Sequence, residues 1–596
     1  MADAVWGGGS FIVDDAEPRS IAIPEEFTES RLRLAAAAKA FAERDGTPAD
    51  DDTGTPEGTA IRLIRRAGEL GLLRASMPEA RGGFGPDIIG AALVAETLAS
   101  ASSSAPPIIA QAERGGIPIA LFGTPDRKSR WLPKLASGEL IAAYCPPESD
   151  IGSEALGQPT SAALSEDGGH YVLNGSMRHV ANAGIADLFI LYAKVDGAQV
   201  CAFVVERGVP GLAIEPEESK RGSGDIPTCR LLFEKARIPA DNLLGEVGQG
   251  DRIALDVMNL GRFKLSAGCV GVMKEAVALA SAYANRSKQH GKSSATFPLA
   301  AAKLADMNAR TFVAESMVYR TAGLIGDALA ASGRDGPVSG AQAANAFAEY
   351  ALECSIVKVF ASEALEAVAD EAYQIYGGLG RRDDKVERIC RESRMNRILE
   401  GTNEVNRLFI PATLLKRALK SDLPLIEKAQ ALRQELLDPR PLPPSSAFPE
   451  ACLAKPAAIL SALKKTFLMV GGLAVQKHGL RLEREQTIVA SLADAMIDIY
   501  ALESALLRSG KLSLRDAEDP SSVNPAEMTA LFAEEAAERA GARSRAILAS
   551  LERGDELLLH LSVLRRLLRY VPGDATALRK RISSRVAAAE DYVSLS

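Results

Sequence analysis

Residues Gln374–Arg407 read QIYGGLGRRDDKVERICRESRMNRILEGTNEVNR. Gly377, Gly378 and Gly380 end the alanine-rich helical run before them. Glycines in a row also let a second backbone or a phosphate-bearing ligand come close. Spacing alone leaves a helix-terminating turn and a ligand cradle equally open. Further on, Glu400 stands between apolar Ile398 and Leu399 and a Gly401-Thr402 pair suited to starting a helix. A carboxylate among apolar neighbours holds a proton more tightly than a solvated one and can act as a base. Glu-Gly-Thr also serves as a plain capped helix start, so both readings stand.

On either side of this stretch the chain is strongly helical. Long alanine-rich runs over 251–286, 299–325 and 341–373 suit a bundle whose small side chains allow close helix approach. Upstream the period changes. Tyr171–Gly175, Asp187–Gly197, Ala198–Glu206 and Cys229–Phe233 read as strands, with Asp196-Gly197 a hairpin turn, and no long helix interrupts Tyr144–Gly245. That favours a small antiparallel barrel or sandwich over a βαβ unit. The first block carries helical patterns near 28–44, 59–71, 88–103 and 125–137, after an irregular arm. Past Asp438–Glu450, with five prolines in thirteen residues, 455–510 and 526–570 are again helical. The expected domains are a 1–27 arm, a 28–140 helical domain, a 141–249 β-domain, a 250–415 helical bundle, a 416–450 helix and linker, and a 451–596 helical domain.

At 596 residues the chain needs several cores, and 47% hydrophobic with 24% charged residues is a globular balance. A net charge of −8 gives no overall attraction for nucleic acid, and none is expected as a partner. Seven scattered cysteines without CxxC, five scattered histidines and no HExxH give no support for a metal site. The opening MADAVWGGGSFIVDD lacks a basic stretch before an apolar core, so no export signal is expected, and no uncharged run of 18 apolar residues predicts a membrane span. A reducing, cytoplasmic setting follows. The basic group Arg565, Arg566, Arg569, Arg579, Lys580 and Arg581 leaves open a peripheral contact with the inner membrane face, although an ordinary solvated face fits it too.

QIYGGLG and ILEGTNEVNR, together with NLGRFKLSAGCVG, AKLADM and IPADNLLGEVGQG, resemble the acyl-CoA dehydrogenase family over about residues 30–415. The helical region after 438 and the GGGSF opening look most like its very-long-chain branch. The resemblance implies an α+β multidomain fold: an N-terminal helical domain, a central antiparallel β-domain, a C-terminal four-helix bundle and an extra helical domain. It further implies a homodimer that binds FAD and oxidises long or very long acyl-CoA to the trans-2-enoyl-CoA, passing electrons to an electron-transfer flavoprotein. Two alternatives are a noncatalytic assembly scaffold on the same fold and a dehydrogenase for an unusual CoA thioester.

By the same resemblance Glu400 is the catalytic base. Gln374, Gly377, Gly378, Thr402, Asn403, Arg286, Ser153, His179 and Ala181 fall on cofactor-binding positions, and Gly152, Ser153, Arg262 and Gly401 on substrate-binding ones. Gly261, before Arg262, is not the glutamate that serves as base in some branches, which keeps the assignment on Glu400. There are departures. Pro147 stands where the family carries a flavin-contacting threonine, and Glu148 keeps the motif glutamate. His179 takes an aromatic position, and Ala181 removes a hydroxyl. Arg286 lies one residue off the usual spacing, with His290 and Pro298 replacing phenylalanine and glutamine. Each lost neutral hydrogen bond is worth roughly 1 kcal/mol.

Overall fold

In the computed structural model, residues 6–44, 55–76, 87–100, 105–146, 160–216, 228–333, 338–437, 451–515 and 522–595 are described. The expected loop residues Pro147, Glu148, Gly152 and Ser153 and the proline-rich linker 438–450 lie outside them. Helices α1 (Glu29–Arg44), α2 (Pro56–Glu69), α3 (Ile88–Ser100), α4 (Ala105–Phe122) and α5 (Pro125–Ala136) come first. Thr55 and Thr124 cap α2 and α5 by accepting from Gly58 N and Arg127 N, with a proline at the first helical position each time. The sequence reading misses α4, which holds three prolines and two glycines. Two of the prolines fall in the first turn, where a missing N–H costs nothing. The third, Pro118, is carried by the burial of Ile117, Ile119 and Leu121 around it.

Strands β1 (Ala142–Tyr144), β2 (Ser161–Leu164), β3 (His170–Ala181), β4 (Leu188–Val195), β5 (Gln199–Glu206), β6 (Leu212–Pro216), β7 (Thr228–Pro239) and β8 (Leu243–Leu244) follow. They order as β6-β7-β3-β2-β4-β5-β8, with β1 also on β4. The sheet is mixed, which corrects the antiparallel expectation. β1 and β2 both run parallel to β4, through Ala142↔Leu188 and Ser161↔Lys194. Each is short and takes a different part of β4, and β2 reaches it by way of the antiparallel strand β3 rather than by a direct hairpin. The β4–β5 hairpin is as expected, with Asp196 and Gly197 both at positive φ. The inner face packs Phe189, Leu191, Phe203 and Leu231 with Phe41, Leu63 and Ile64 of the helices, in one apolar core. These elements, with residues 325–348, form one compact unit, residues 28–264.

The second unit holds residues up to Phe27, then 265–324 and 349 onward. Along the chain run α6 (Gly250–Arg286), α7 (Pro298–Ser332), α8 (Gly340–Glu349), α9 (Ala351–Tyr376), α10 (Asp384–Ser393), α11 (Asn403–Leu419), α12 (Leu425–Leu437), α13 (Ala451–His478), α14 (Gln486–Arg515), α15 (Val523–Leu551), α16 (Gly554–Leu567) and α17 (Ala575–Ala589). The expected helix over 341–373 is thus two helices parted at Tyr350, whose hydroxyl donates to Trp6 O at 2.7 Å. By length and composition α6 and Cys452–His478 are apolar enough to cross a membrane, which the stricter uncharged-run criterion does not register; buried core helices meet the same test.

The N-terminal arm is held along its described residues, from Trp6 onward. Gly8 N and Gly9 N donate to Glu349 and Glu353, and Phe11 packs edge-on against Tyr500 at 4.9 Å. Gly8 can only be glycine, because a Cβ there would lie 2.1 Å from Glu349 O. Lys464 reaches Asp14 O and Asp15, and Lys511 reaches Ile21 O and Glu26. The fully buried Arg508 lies between Glu25 at 2.6 Å and Glu315 at 2.7 Å, over the Phe312 ring.

Candidate functional site

Glu400 sits between the 3-10 turn Arg394–Arg397 and α11. Its φ is +60° and that of Gly401 is +81°, so two successive left-handed residues turn the chain into the helix. Such a backbone is disfavoured for a residue with a Cβ and needs support from its surroundings. Thr402 supplies the cap, its hydroxyl accepting from Val405 N at 3.3 Å. Ile398 and Leu399 are 47% and 45% exposed within the chain, leaving an apolar surface beside the carboxylate.

The loop is gripped from its buried side. Gly401 O accepts from Lys358 Nζ at 2.8 Å and from Asn406 Nδ2 at 2.9 Å, which occupies both of its lone pairs. Asn403 is fully buried. Its Oδ1 accepts from Lys358 at 2.7 Å, and its Nδ2 donates to Ser362 Oγ and Glu363 Oε1 at 3.1 and 3.0 Å. Arg407 holds Glu363 in a fork of 2.7 and 2.9 Å. Burial pushes the Glu363 carboxyl up, but Arg407 and Asn403 outweigh it and hold it below the usual carboxylate range. Sequence reading misses Lys358, Glu363, Asn406 and Arg407. The available signal was one lysine inside the apolar run SIVKVFASEAL.

A second group of candidates meets where α6 and α9 end. Tyr283 stacks on Tyr376 at 4.2 Å, and Tyr376 donates to Leu279 O. Arg286 acts electrostatically on Tyr376, and Gln374, Gly377 and Gly378 flank Tyr376 at the same helix end. The two glycines have open space where a Cβ would stand, and Gly377 is at positive φ. A guanidinium and uncrowded backbone are each suited to receiving a diphosphate.

The remaining candidates belong to the other compact unit. His179 is exposed at φ +59°, in a register shift between Met177 and Val180; Ala181 pairs with Thr228. Asn182 after it is buried and donates to Ile108 O. Arg262 is 3% exposed, with Nη1 on Asn259 Oδ1 at 3.3 Å and Nη2 on Met258 Sδ at 3.0 Å. Asp256, nearly two turns earlier on α6, is pushed up to about 7 by burial, which Arg252 only partly offsets. Among the described residues no group of three or more His, Cys, Asp or Glu could hold a metal ion.

The sequence matches the acyl-CoA dehydrogenase N-terminal domain over residues 28–139, the middle domain over 143–236, and C-terminal domains of the family over 248–415 and 462–566. It is 41% identical to a probable acyl-CoA dehydrogenase of Bacillus subtilis, over 99% of this chain and 98% of that protein. It is 32% identical to the human very long-chain specific acyl-CoA dehydrogenase, over 84% of this chain and 78% of that one. A crystal structure of an acyl-CoA dehydrogenase complexed with FAD, from Bacillus anthracis, superposes with a TM-score of 0.92 at 39% identity, covering 98% of this chain and 100% of that one. The chain belongs to the acyl-CoA dehydrogenase family.

Proposed function

We propose that the protein is an FAD-dependent dehydrogenase that converts long or very long straight-chain acyl-CoA to the trans-2-enoyl-CoA. The observation that carries the reading is the Glu400 loop: a carboxylate on a left-handed turn, braced from the buried side and bordered by apolar Ile398 and Leu399. In this reading Glu400 takes the α-proton of the thioester. Bound FAD supplies the hydride acceptor for the β-hydrogen, a capacity no side chain has. Arg286, Gln374, Gly377 and Gly378 would hold the diphosphate half of the cofactor, as their charge and open backbone suit. By the family resemblance His179, Ala181, Thr402, Asn403 and Ser153 are further cofactor-binding positions, and Gly152, Ser153, Arg262 and Gly401 substrate-binding ones. Backbone N–H groups near Glu400 would stabilise charge on the thioester oxygen, and losing one such donor typically costs about 3 kcal/mol.

The chain-length assignment is supported by likeness to the human very long-chain enzyme and by the C-terminal layer matched over 462–566. An electron-transfer flavoprotein is the proposed acceptor, a homodimer the proposed assembly and the cytoplasm the proposed location. A peripheral membrane contact would fall to Arg565, Arg566 and Arg569, which stand beside exposed Leu558 and Leu559. Arg579 and Arg581 are already paired, with Asp306, Glu535 and Glu527.

Anaerobic titration of the purified yellow protein with saturated acyl-CoAs of increasing chain length tests the proposal. Bleaching near 450 nm is expected, strongest with long chains. A folded, colourless protein that takes up no FAD would favour the scaffold reading. Bleaching confined to short chains would overturn the length assignment.

A further inference from the structure

Resting on the reading of Glu400 as base, we propose that Lys358 is a positioning residue, an internal ammonium that sets the orientation of the loop carrying the base. Lys358 lies about two turns into α9 and is wholly buried, with Ile356, Val357, Val359 and Ala361 buried around it. An ammonium there is expensive to desolvate, and an aliphatic side chain would serve packing better. Its three N–H donors meet oxygens of the loop: Gly401 O at 2.8 Å, Asn403 Oδ1 at 2.7 Å and Arg397 O at 3.4 Å. These acceptors bracket Glu400 on both sides in sequence.

The consequence is geometric. Glu400 and Gly401 both hold left-handed backbone, which an unsupported loop would leave. Drawing Gly401 O into the core fixes the plane of the peptide that follows it, while the pull on Arg397 O fixes the approach to Glu400. The same ammonium orients Asn403, which opens α11 and passes the constraint to Ser362 and Glu363. Lys358 thus acts on the reaction only through the placement of the Glu400 carboxylate, where an error of about 1 Å costs on the order of a hundredfold in rate.

The test uses full-length holoenzyme carrying Lys358→Met, Lys358→Arg or Glu400→Gln. Lys358→Met is expected to slow flavin reduction at saturating acyl-CoA by about a hundredfold, while FAD content and half-saturating acyl-CoA stay within about threefold. Lys358→Arg should recover part of the rate. In protein stripped of FAD, amide exchange over residues 397–406 should be about tenfold faster in Lys358→Met. Reduction within threefold of wild type, unchanged exchange, or a loss of rate that merely tracks loss of FAD would each overturn the inference. If Lys358→Met does not fold, Asn406→Leu removes the second donor to Gly401 O, and the same readings decide. Normal reduction by Glu400→Gln would defeat the base reading instead, and the exchange measurement would still judge Lys358.

Discussion

Arg407 Nε donates to Asp494 Oδ1 at 2.8 Å, so the helix that follows the candidate base is fastened to α14 of the added C-terminal layer. The same guanidinium grips Glu363, which accepts from Asn403. The layer thereby shares in bracing the Glu400 loop. Asp494→Asn should leave FAD bound while lowering both the thermal midpoint and the rate of flavin reduction, the latter by about tenfold. Arg407→Lys, which keeps the charge but not the fork, should do at least as much damage. Paired melting curves and stopped-flow reduction check both, and wild-type behaviour in both variants would remove the layer from the support of the loop.

Glu400→Gln should keep the fold and the cofactor, because the amide matches the carboxylate in shape. Loss of a positioned base typically costs 10²–10⁴-fold, so reduction by acyl-CoA should fall by about that factor. Single-turnover bleaching with the variant, with FAD content as the control, measures it.

Acid stability should depend on Glu315. Burial alone would push its carboxyl up, but Arg508, Lys274 and the Tyr592 hydroxyl outweigh that and bring it down to about 2. A depressed carboxyl contributes stability that is complete above its unfolded value of about 4.5 and is lost as pH falls toward 2. Glu315→Gln should therefore melt well below wild type at pH 7, with the gap closing between about pH 4.5 and 2. Thermal scans across that window would show it.

Asp256 should act in the opposite sense. Its carboxyl, raised from 3.8 to about 7 by burial, must ionise in a poor environment as pH rises through that range. Folding stability then declines from about pH 4 to 7 on this account. Asp256→Asn should be near neutral at pH 4.5 and stabilising at pH 8, as melting at the two pH values would record.

The parts of the fold that sequence reading reaches are those encoded locally. Capping threonines, the Asp196-Gly197 turn and long alanine-rich runs carry their own signal within a few residues. α4 is hidden because prolines in a first turn look the same as prolines in a loop. β1, β2 and β8 span four residues or fewer, too short for alternation to register, and the parallel pairing of β1 and β2 with β4 is set by chain connections rather than by composition. At the site, Glu400 and the glycines stand out because motif and backbone demand coincide there. Lys358 does not: a lysine's depth depends on what packs over α9 from elsewhere in the chain, and one sequence does not state that.

The hold on the N-terminal arm bears on the order in which the protein can be made. Trp6–Glu26 is synthesised long before Lys464, Tyr500, Arg508 and Lys511, which bind it. Until α13 and α14 emerge, Phe11, Ile21 and Ile23 have no finished surface to bury against, and the nascent chain must keep an apolar tail from straying for most of translation. Residues made well before their partners are thus among the later ones to settle.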